Sequence, residues 1–292
     1  MLPKGNFPKK VYLNGKIVSA EDAKISVFDR GFLFGDGIYE VMVQLENGLF
    51  YKKAHLDRLQ DNLQKIGIQY NVKEIDDHLE VLLKSSKLTD ESCLIYMQVT
   101  RGVAPRKHSS PKGVPATVMM YALPYSLPDI NTKNMQAILE PDFRWHRCDI
   151  KSISLLGNIM ANEDAMNANT NEAALVRDGV ISEGSHTNIF FVKDGTVVTH
   201  PANEHILNGI TRKIVIKLCN DLDIPVNEKT IAENEIEYMD EAFFTGTTTQ
   251  VASIAQLGSH TFYNNNEIGK VTLKLQKAFA KLREKNTANI TL

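Results

Sequence analysis

The sequence predicts an α+β protein of two domains, on three features. Asn-Gly and Asp-Gly dipeptides separate β-prone runs in both halves of the chain. Stretches with apolar residues every three or four positions lie between those runs, and a proline-rich polar tract divides the 292 residues. With 43% hydrophobic and 23% charged residues, the composition is that of a folded chain.

VYLNGKIV (11–18) reads as a hairpin turning at Asn14-Gly15, since both residues accept the positive φ of a type I′ turn. YEVMVQLENGLFYK (39–52) repeats the device at Asn47-Gly48. Leu56, Leu59, Leu63 and Ile66 form the stripe of an amphipathic helix capped by Gly67, and Ile75, Leu79, Leu82 and Leu83 mark a second helix. SCLIYMQVTRG (92–102) alternates as a strand and runs into the polar loop APRKHSSPKG. Beyond LPYSLPDINTKN (123–134), the turns Asp178-Gly179 and Asp194-Gly195 predict an antiparallel meander. ITRKIVIKLCNDL (210–222) and VTLKLQKAFAKLREK (271–285) predict helices, with EAFFTG and QVASIAQL as strands between them. The expected division is a small N-terminal α/β domain over 1–124, a linker over 125–135 and a larger C-terminal domain over 136–292 carrying Lys151.

Charge narrows the partners. The formal net charge is −2 and the basic residues are dispersed, which argues against nucleic acid or anionic lipid and for a small-molecule partner. The start, MLPKGNFPKK, has no apolar core of a signal peptide, and no stretch approaches the roughly 18 apolar residues of a membrane span, so a cytoplasmic location is expected. Cys93, Cys148 and Cys219 lie far apart and the eight histidines show no HExxH pattern, so neither a disulfide framework nor a metal site is expected.

CDIKSISLLGN (148–158) places Lys151 between Ile150 and Ile153. Desolvation lowers the pKa of an amine, which is what a Schiff-base lysine needs. Alone, Lys151 fits better a strand-end side chain that snorkels to water. Its company changes that balance. In VISEGSHTNIFF, Glu183 ends a β-prone run before a turn of small residues, a place where a carboxylate can be held against a protonated ring nitrogen. In ILNGITRKIV, Gly209 precedes a helix whose first turn contains Thr211, an arrangement suited to a phosphate at unpaired amides. The hydroxyl-rich turn TGTTTQ (245–250) and Arg58 of HLDRL offer further phosphate donors. Each taken singly also fits an ordinary loop or helix cap.

Together, DRGFLFGDGIYE, HLDRL, RWHRCDIKS, SEGSHTN, THPANEHILNGITR and FFTGTTTQ resemble, in order, the motifs of the class IV pyridoxal-phosphate enzymes. That family includes branched-chain aminotransferases, D-amino acid transaminases and aminodeoxychorismate lyases. The resemblance implies the two-domain fold type IV architecture and pyridoxal 5′-phosphate as cofactor. It implies that Lys151 forms the Schiff base, that Glu183 contacts the ring nitrogen and that Leu207 packs on the ring. Arg58, Ile210 (through its backbone N–H), Thr211 and Thr247 would hold the phosphate. His186 departs from the resemblance, since related sequences usually carry a small hydroxyl residue there.

Within the family, Arg106 and His108 are two apart and point the same way if the loop is extended, so with Tyr39 they would trap a substrate carboxylate. This arginine and histidine pattern resembles the D-amino acid transaminases, in which the loop reaches the partner subunit's active site. Leu156 stands where branched-chain members carry tyrosine, and lyases do not usually carry the Arg106 and His108 pair. The resemblance therefore implies ping-pong transamination between D-amino acids and 2-oxo acids by a homodimer with shared sites. The alternatives are an (R)-amine or branched-chain transaminase, an aminodeoxychorismate lyase and, from another class, a non-catalytic protein that binds the cofactor or an amino acid.

Overall fold

The computed structural model describes residues 3–130, 134–263 and 267–292. Contacts divide the chain into two units: Met1–Ser126 with Ile150–Ser154 and Lys285–Thr291, and Leu127–Asp149 with Leu155–Glu284 and Leu292.

The first unit runs β1 (Lys10–Leu13), β2 (Lys16–Ser19), α1 (Arg30–Phe34), β3 (Gly37–Leu45), β4 (Gly48–Leu49), α2 (Lys52–Lys65), α3 (Lys73–Ser86), β5 (Cys93–Thr100) and β6 (Thr117–Pro124). Its six described strands form one antiparallel sheet in the order β2-β1-β6-β5-β3-β4. Leu59 and Leu63 of α2 and Ile75 and Leu82 of α3 are buried with Ile38 and Met42 of β3, so the expected helical stripes are the packed faces. Asn14 and Gly15 take φ of 47° and 87°, as a type I′ turn requires. The Asn47-Gly48 expectation shifts by one residue. Leu45 pairs with Gly48, so Glu46 and Asn47 form the turn, and Gly48 opens a two-residue strand at φ 103°.

Segment 150–154 groups with this unit, which differs from the expected placement of Lys151 in the C-terminal domain. Ser152 bridges Ile38, the Tyr39 amide donates to the Lys151 carbonyl at 3.1 Å, and the Ile153 amide donates to the Gly37 carbonyl at 3.1 Å. Long-range backbone pairing to β3, invisible in local sequence, decides the grouping. The contact division falls between Ser126 and Leu127, within the linker expected over 125–135, whose residues 131–133 lie outside the described residues.

The second unit contains β7 (Met135–Pro141), α4 (Leu156–Asn167), β8 (Glu172–Arg177), β9 (Val180–Gly184), β10 (Asn188–Lys193), β11 (Thr196–Thr199), α5 (Ile210–Asp221), β12 (Val226–Glu228), β13 (Ile231–Ala232), a 3₁₀ turn, β14 (Glu241–Gly246), β15 (Gln250–Leu257), β16 (His260–Thr261) and α6 (Lys270–Arg283). The strand order is β12-β11-β10-β14-β15-β7-β8-β9-β13, with β16 on β15. Three pairings are parallel: β7 with β8, β7 with β15, and β11 with β12. The hairpins at Asp178-Gly179 and Asp194-Gly195 form as expected, with positive φ at all four residues. The continuous meander does not. The β8-β9 and β10-β11 hairpins are separated in the sheet order, because the chain leaves β9 through a tight turn, Gly184–Thr187, closed by the Gly184 amide on the Thr187 carbonyl at 2.8 Å. The fully buried carboxylate of Glu172 accepts three of that turn's donors: the Ser185 amide at 3.0 Å, the Ser185 hydroxyl, and the Thr187 hydroxyl at 2.8 Å.

Candidate active site

In the first unit, Lys151 is fixed by its backbone. Its amide donates to Asn62 Oδ1 of α2 at 2.7 Å, its carbonyl accepts from Tyr39, and its Nζ lies 4.1 Å from the centroid of the Tyr39 ring. Tyr39 also stacks on Tyr96, which stacks on Tyr121, giving an aromatic row across β3, β5 and β6. A tyrosine face stabilises an ammonium, and Lys151 as a residue is half-buried.

Arg58 grips a carboxylate of its own chain. Its Nε and Nη2 donate to the two oxygens of fully buried Glu40 at 2.8 and 2.7 Å, and His55 Nδ1 lies 2.9 Å from Glu40 Oε1. Burial alone would raise the Glu40 carboxyl, but the Arg58 charge and the His55 contact outweigh it and hold it far below the usual range. Burial lowers His55 in turn, against the pull of Glu40. Glu40 therefore sets the rotamer of Arg58 through a two-pronged pair, which a lysine could not reproduce.

The loop after β5 brings Arg106 and His108 together. The Arg106 guanidinium lies 5.1 Å from the centroid of Phe34, and the His108 ring lies 5.8 Å from the same ring. Arg30, buried and paired with Asp36 at 2.7 Å, donates to the carbonyl of the intervening Lys107 at 2.6 Å. One internal arginine thus anchors the loop between two exposed polar side chains. Tyr39, the third expected carboxylate ligand, makes its described contacts with Tyr96 and Lys151.

In the second unit, Glu183 ends β9 as a buried carboxylate. Oε1 accepts from Arg144 Nη1 at 2.6 Å, and Oε2 accepts from Asn188 Nδ2 at 2.9 Å and the Leu207 amide at 3.1 Å. Asn188 also donates to the Leu207 carbonyl at 2.8 Å, closing a ring of contacts that positions Leu207. Arg144 is locked from behind by Asp142, whose oxygens accept from Nε and Nη2 at 2.9 and 3.0 Å, and Arg177 pairs with the same carboxylate at 2.9 Å. Burial pushes the Glu183 carboxyl up to about 7, with Arg144 opposing the rise. Burial acts the same way on Asp142, but its two arginines hold it at about 2. Sequence reading assigned no role to Arg144, Asn188, Asp142, Glu40 or His55. Glu40, His55, Arg144 and Asn188 do fall within the motifs DRGFLFGDGIYE, HLDRL, RWHRCDIKS and SEGSHTN, but their types and spacing point to no particular partner.

Two turns complete this half. Gly209 caps α5 with no side-chain hydrogen bond, and a Cβ there would stand 2.2 Å from Asn188 Oδ1, so only glycine lets the helix start approach. Ile210 and Thr211 open that helix and are buried, and the first-turn amides of a helix without a side-chain cap suit an anion. Thr247 lies in the three-residue turn joining β14 to β15, where Gln250 takes φ 62°. Gln250 holds that conformation because its side chain is tied at both ends, to the Pro128 carbonyl at 2.8 Å and Arg283 at 2.7 Å. Among the described residues, no group of three or more His, Cys, Asp or Glu is placed to hold a metal, and no described helix is long and apolar enough to cross a membrane.

The first unit holds a lysine against an aromatic face, and the second holds an arginine-braced buried carboxylate and a glycine-started helix, residue types that suit an anionic, nitrogen-ring cofactor. The family model for amino-transferase class IV matches residues 37–257. The D-alanine aminotransferases of Staphylococcus epidermidis and Bacillus licheniformis are each 37% identical, over 93% and 92% of this chain and 97% and 95% of theirs. Among solved structures, the branched-chain aminotransferase of Thermoproteus uzoniensis with norvaline superposes with a TM-score of 0.84 at 27% identity, covering 94% of this chain and 95% of that one. The Escherichia coli branched-chain aminotransferase, at 24% identity, shares the fold with a TM-score of 0.87 over 97% of both chains. The chain belongs to the class IV aminotransferase family and has its α+β, fold type IV architecture.

The residues fit pyridoxal 5′-phosphate, the cofactor of this class. Glu183 accepts three hydrogen bonds from the protein, and a carboxylate has about four acceptor positions, which leaves one for a protonated ring nitrogen. The uncapped start of α5 suits its phosphate.

Proposed function

We propose that this enzyme transfers the amino group of D-amino acids to 2-oxo acids, with pyridoxal 5′-phosphate held by Glu183, Arg58, Leu207, Ile210, Thr211 and Thr247 and with Lys151 as its covalent anchor. The observation that carries the reading is that Arg106 and His108 share the Phe34 ring while Arg30 pins the backbone between them. A fork of guanidinium donors beside an imidazole suits the α-carboxylate of an amino acid, and Tyr39 adds a hydroxyl. The names of the 37%-identical relatives support the same substrate class.

When bound, the cofactor supplies an electron sink for the pair left on the substrate's Cα. Lys151, the amine that would anchor the cofactor, would also take the Cα proton and later return it. Tyr39 holds that amine against its ring face. Glu183, whose upward shift Arg144 opposes, would hold the proton on the ring nitrogen. The amides of Ile210 and Thr211, with the Arg58 guanidinium that Glu40 orients, would hold the phosphate. A protein that only bound the cofactor would have no use for an acid–base lysine. The enzyme works as a cytoplasmic homodimer in which the exposed 101–111 loop serves the neighbouring copy.

Stopped mixing of the purified enzyme with D-alanine, without an acceptor, should convert the visible absorbance of the aldehyde-form cofactor to the near-ultraviolet band of its amine form. L-Alanine should do so far more slowly. No conversion by any D-amino acid would end this reading. For the loop, mixing inactive Lys151→Ala and Arg106→Ala chains should restore activity through hybrid dimers with one intact site. Failure to complement would place each loop at its own copy's site.

A further inference from the structure

We propose that His186 is a specificity-determining residue, whose imidazole binds the side-chain carboxylate of a dicarboxylic D-amino acid or 2-oxo acid. The proposal rests on the transaminase reading above and adds a substrate subclass to it.

The argument starts from Glu172, a carboxylate with no exposure to water. It accepts from the amides of Ala173 and Ser185 at 2.9 and 3.0 Å, from the Thr187 hydroxyl at 2.8 Å and from the Ser185 hydroxyl. All these donors are neutral. The basic side chain against it is His186, with Nδ1 3.1 Å from Oε2 and 3.0 Å from the Ser185 oxygen. The ring is 53% exposed although one of its nitrogens meets a carboxylate that is 0% exposed. The open edge is therefore the one that bears Nε2. A carboxylate on one ring nitrogen fixes the ring plane, so the second ring nitrogen points outward in a set direction. Surface histidines rarely have such a support. The α4 residue Asn158 stiffens the turn further by donating to the Ser185 carbonyl at 2.7 Å.

Position supplies the second half of the argument. His186 lies three residues after Glu183, the expected partner of the ring nitrogen, and next to Thr187. The Thr187 methyl lies 3.6 Å from where a Cβ on Gly246 would stand, so this turn adjoins the turn that carries Thr247. An exposed, braced donor beside those two cofactor residues can meet an anion on the substrate or the phosphate of the cofactor. Glu183, Arg144, Asp142 and Arg177 already balance one another in charge, and the phosphate has the start of α5. That leaves the substrate's distal carboxylate as the anion that needs a partner, because the Arg106 and His108 pair is assigned to the α-carboxylate.

The test uses holoenzyme and His186→Ser, which keeps a small polar residue on a half-exposed turn. Half-reaction kcat/KM should fall about 10- to 150-fold for D-glutamate, the loss of one charge-assisted hydrogen bond, and stay within about twofold for D-alanine. Calorimetric titration should show glutarate binding weakened by a similar factor and valerate, of equal length with one carboxylate, unchanged. Equal losses for D-glutamate and D-alanine would overturn the proposal. So would a weakened equilibrium affinity for pyridoxal phosphate, which would assign the imidazole to the cofactor's phosphate. If wild-type enzyme converts neither D-amino acid, the transaminase reading fails on its own, and the glutarate and valerate pair still decides whether His186 selects a second carboxylate.

Discussion

Arg144 Nη1 lies 2.6 Å from Glu183 Oε1 with both side chains buried, so the carboxylate proposed to meet the ring nitrogen has its countercharge inside the second unit. Removing one partner of a buried pair strands the other, at a cost of about 3–5 kcal/mol. Arg144→Met should lower stability to urea by that order and weaken cofactor affinity, since Glu183 then faces burial without its cation. Adding Glu183→Gln should recover part of the loss. A double-mutant cycle with a coupling energy near zero would show that the two side chains act independently.

The pH dependence of the cofactor-free protein should carry the same signature. The folded Glu183 carboxyl is raised from an ordinary 4.5 to about 7. Its contribution to stability is therefore full below about 4.5 and is lost as pH rises toward 7, a swing on the order of 3 kcal/mol. Glu40 and Asp142 have the opposite sign. Their folded values are depressed, so they stabilise at neutral pH and lose that contribution as pH falls. Subtracting the stability profile of Glu183→Gln from that of wild type cancels Glu40 and Asp142 and isolates Glu183. The difference should fall between pH 4.5 and 7, and a flat line there would mean that the carboxyl is not shifted.

What could be read from the sequence divides along the same physical line. The turns at Asn14-Gly15, Asp178-Gly179 and Asp194-Gly195 were legible because positive φ is a local demand that few residue pairs meet. Helices α2, α3, α5 and α6 were legible from stripes that the packing buries. Helix α4 was not, because Ala161 and Ala165 are its buried residues while Leu156, Ile159 and Met160 are exposed, which erases the amphipathic pattern. The break between β9 and β10 depends on Glu172 reaching a turn 13 residues away. Lys151, Glu183 and Gly209 could be singled out by residue type in context. Arg144 acts on a carboxylate 39 residues distant and Glu40 on an arginine 18 residues distant, and no spacing rule encodes such contacts.

Lys151→Ala should abolish steady turnover and leave much of the cofactor affinity, because the residues assigned to the ring nitrogen and phosphate are untouched. Borohydride reduction followed by mass spectrometry should add one cofactor mass to the wild-type chain and none to the variant. Normal steady-state transamination by the variant would assign the proton transfer to another group.

Arg106→Ala gives the most selective test of the D-amino acid reading, because the guanidinium rests on Phe34, and its proposed role is confined to the substrate's carboxylate. Loss of a charge-assisted hydrogen bond corresponds to about 1.5–3 kcal/mol, or roughly 10- to 150-fold in kcat/KM for a D-amino acid. An (R)-amine without a carboxylate should lose far less. If the grip acts equally in the ground and transition states, the change appears in KM with kcat nearly preserved. His108 remains on the Phe34 ring and Arg30 still holds the Lys107 carbonyl, so the loop keeps its shape and the cofactor spectrum should be unchanged. An equal fall for D-alanine and the (R)-amine would mean that Arg106 shapes the site generally, and the carboxylate assignment would be withdrawn.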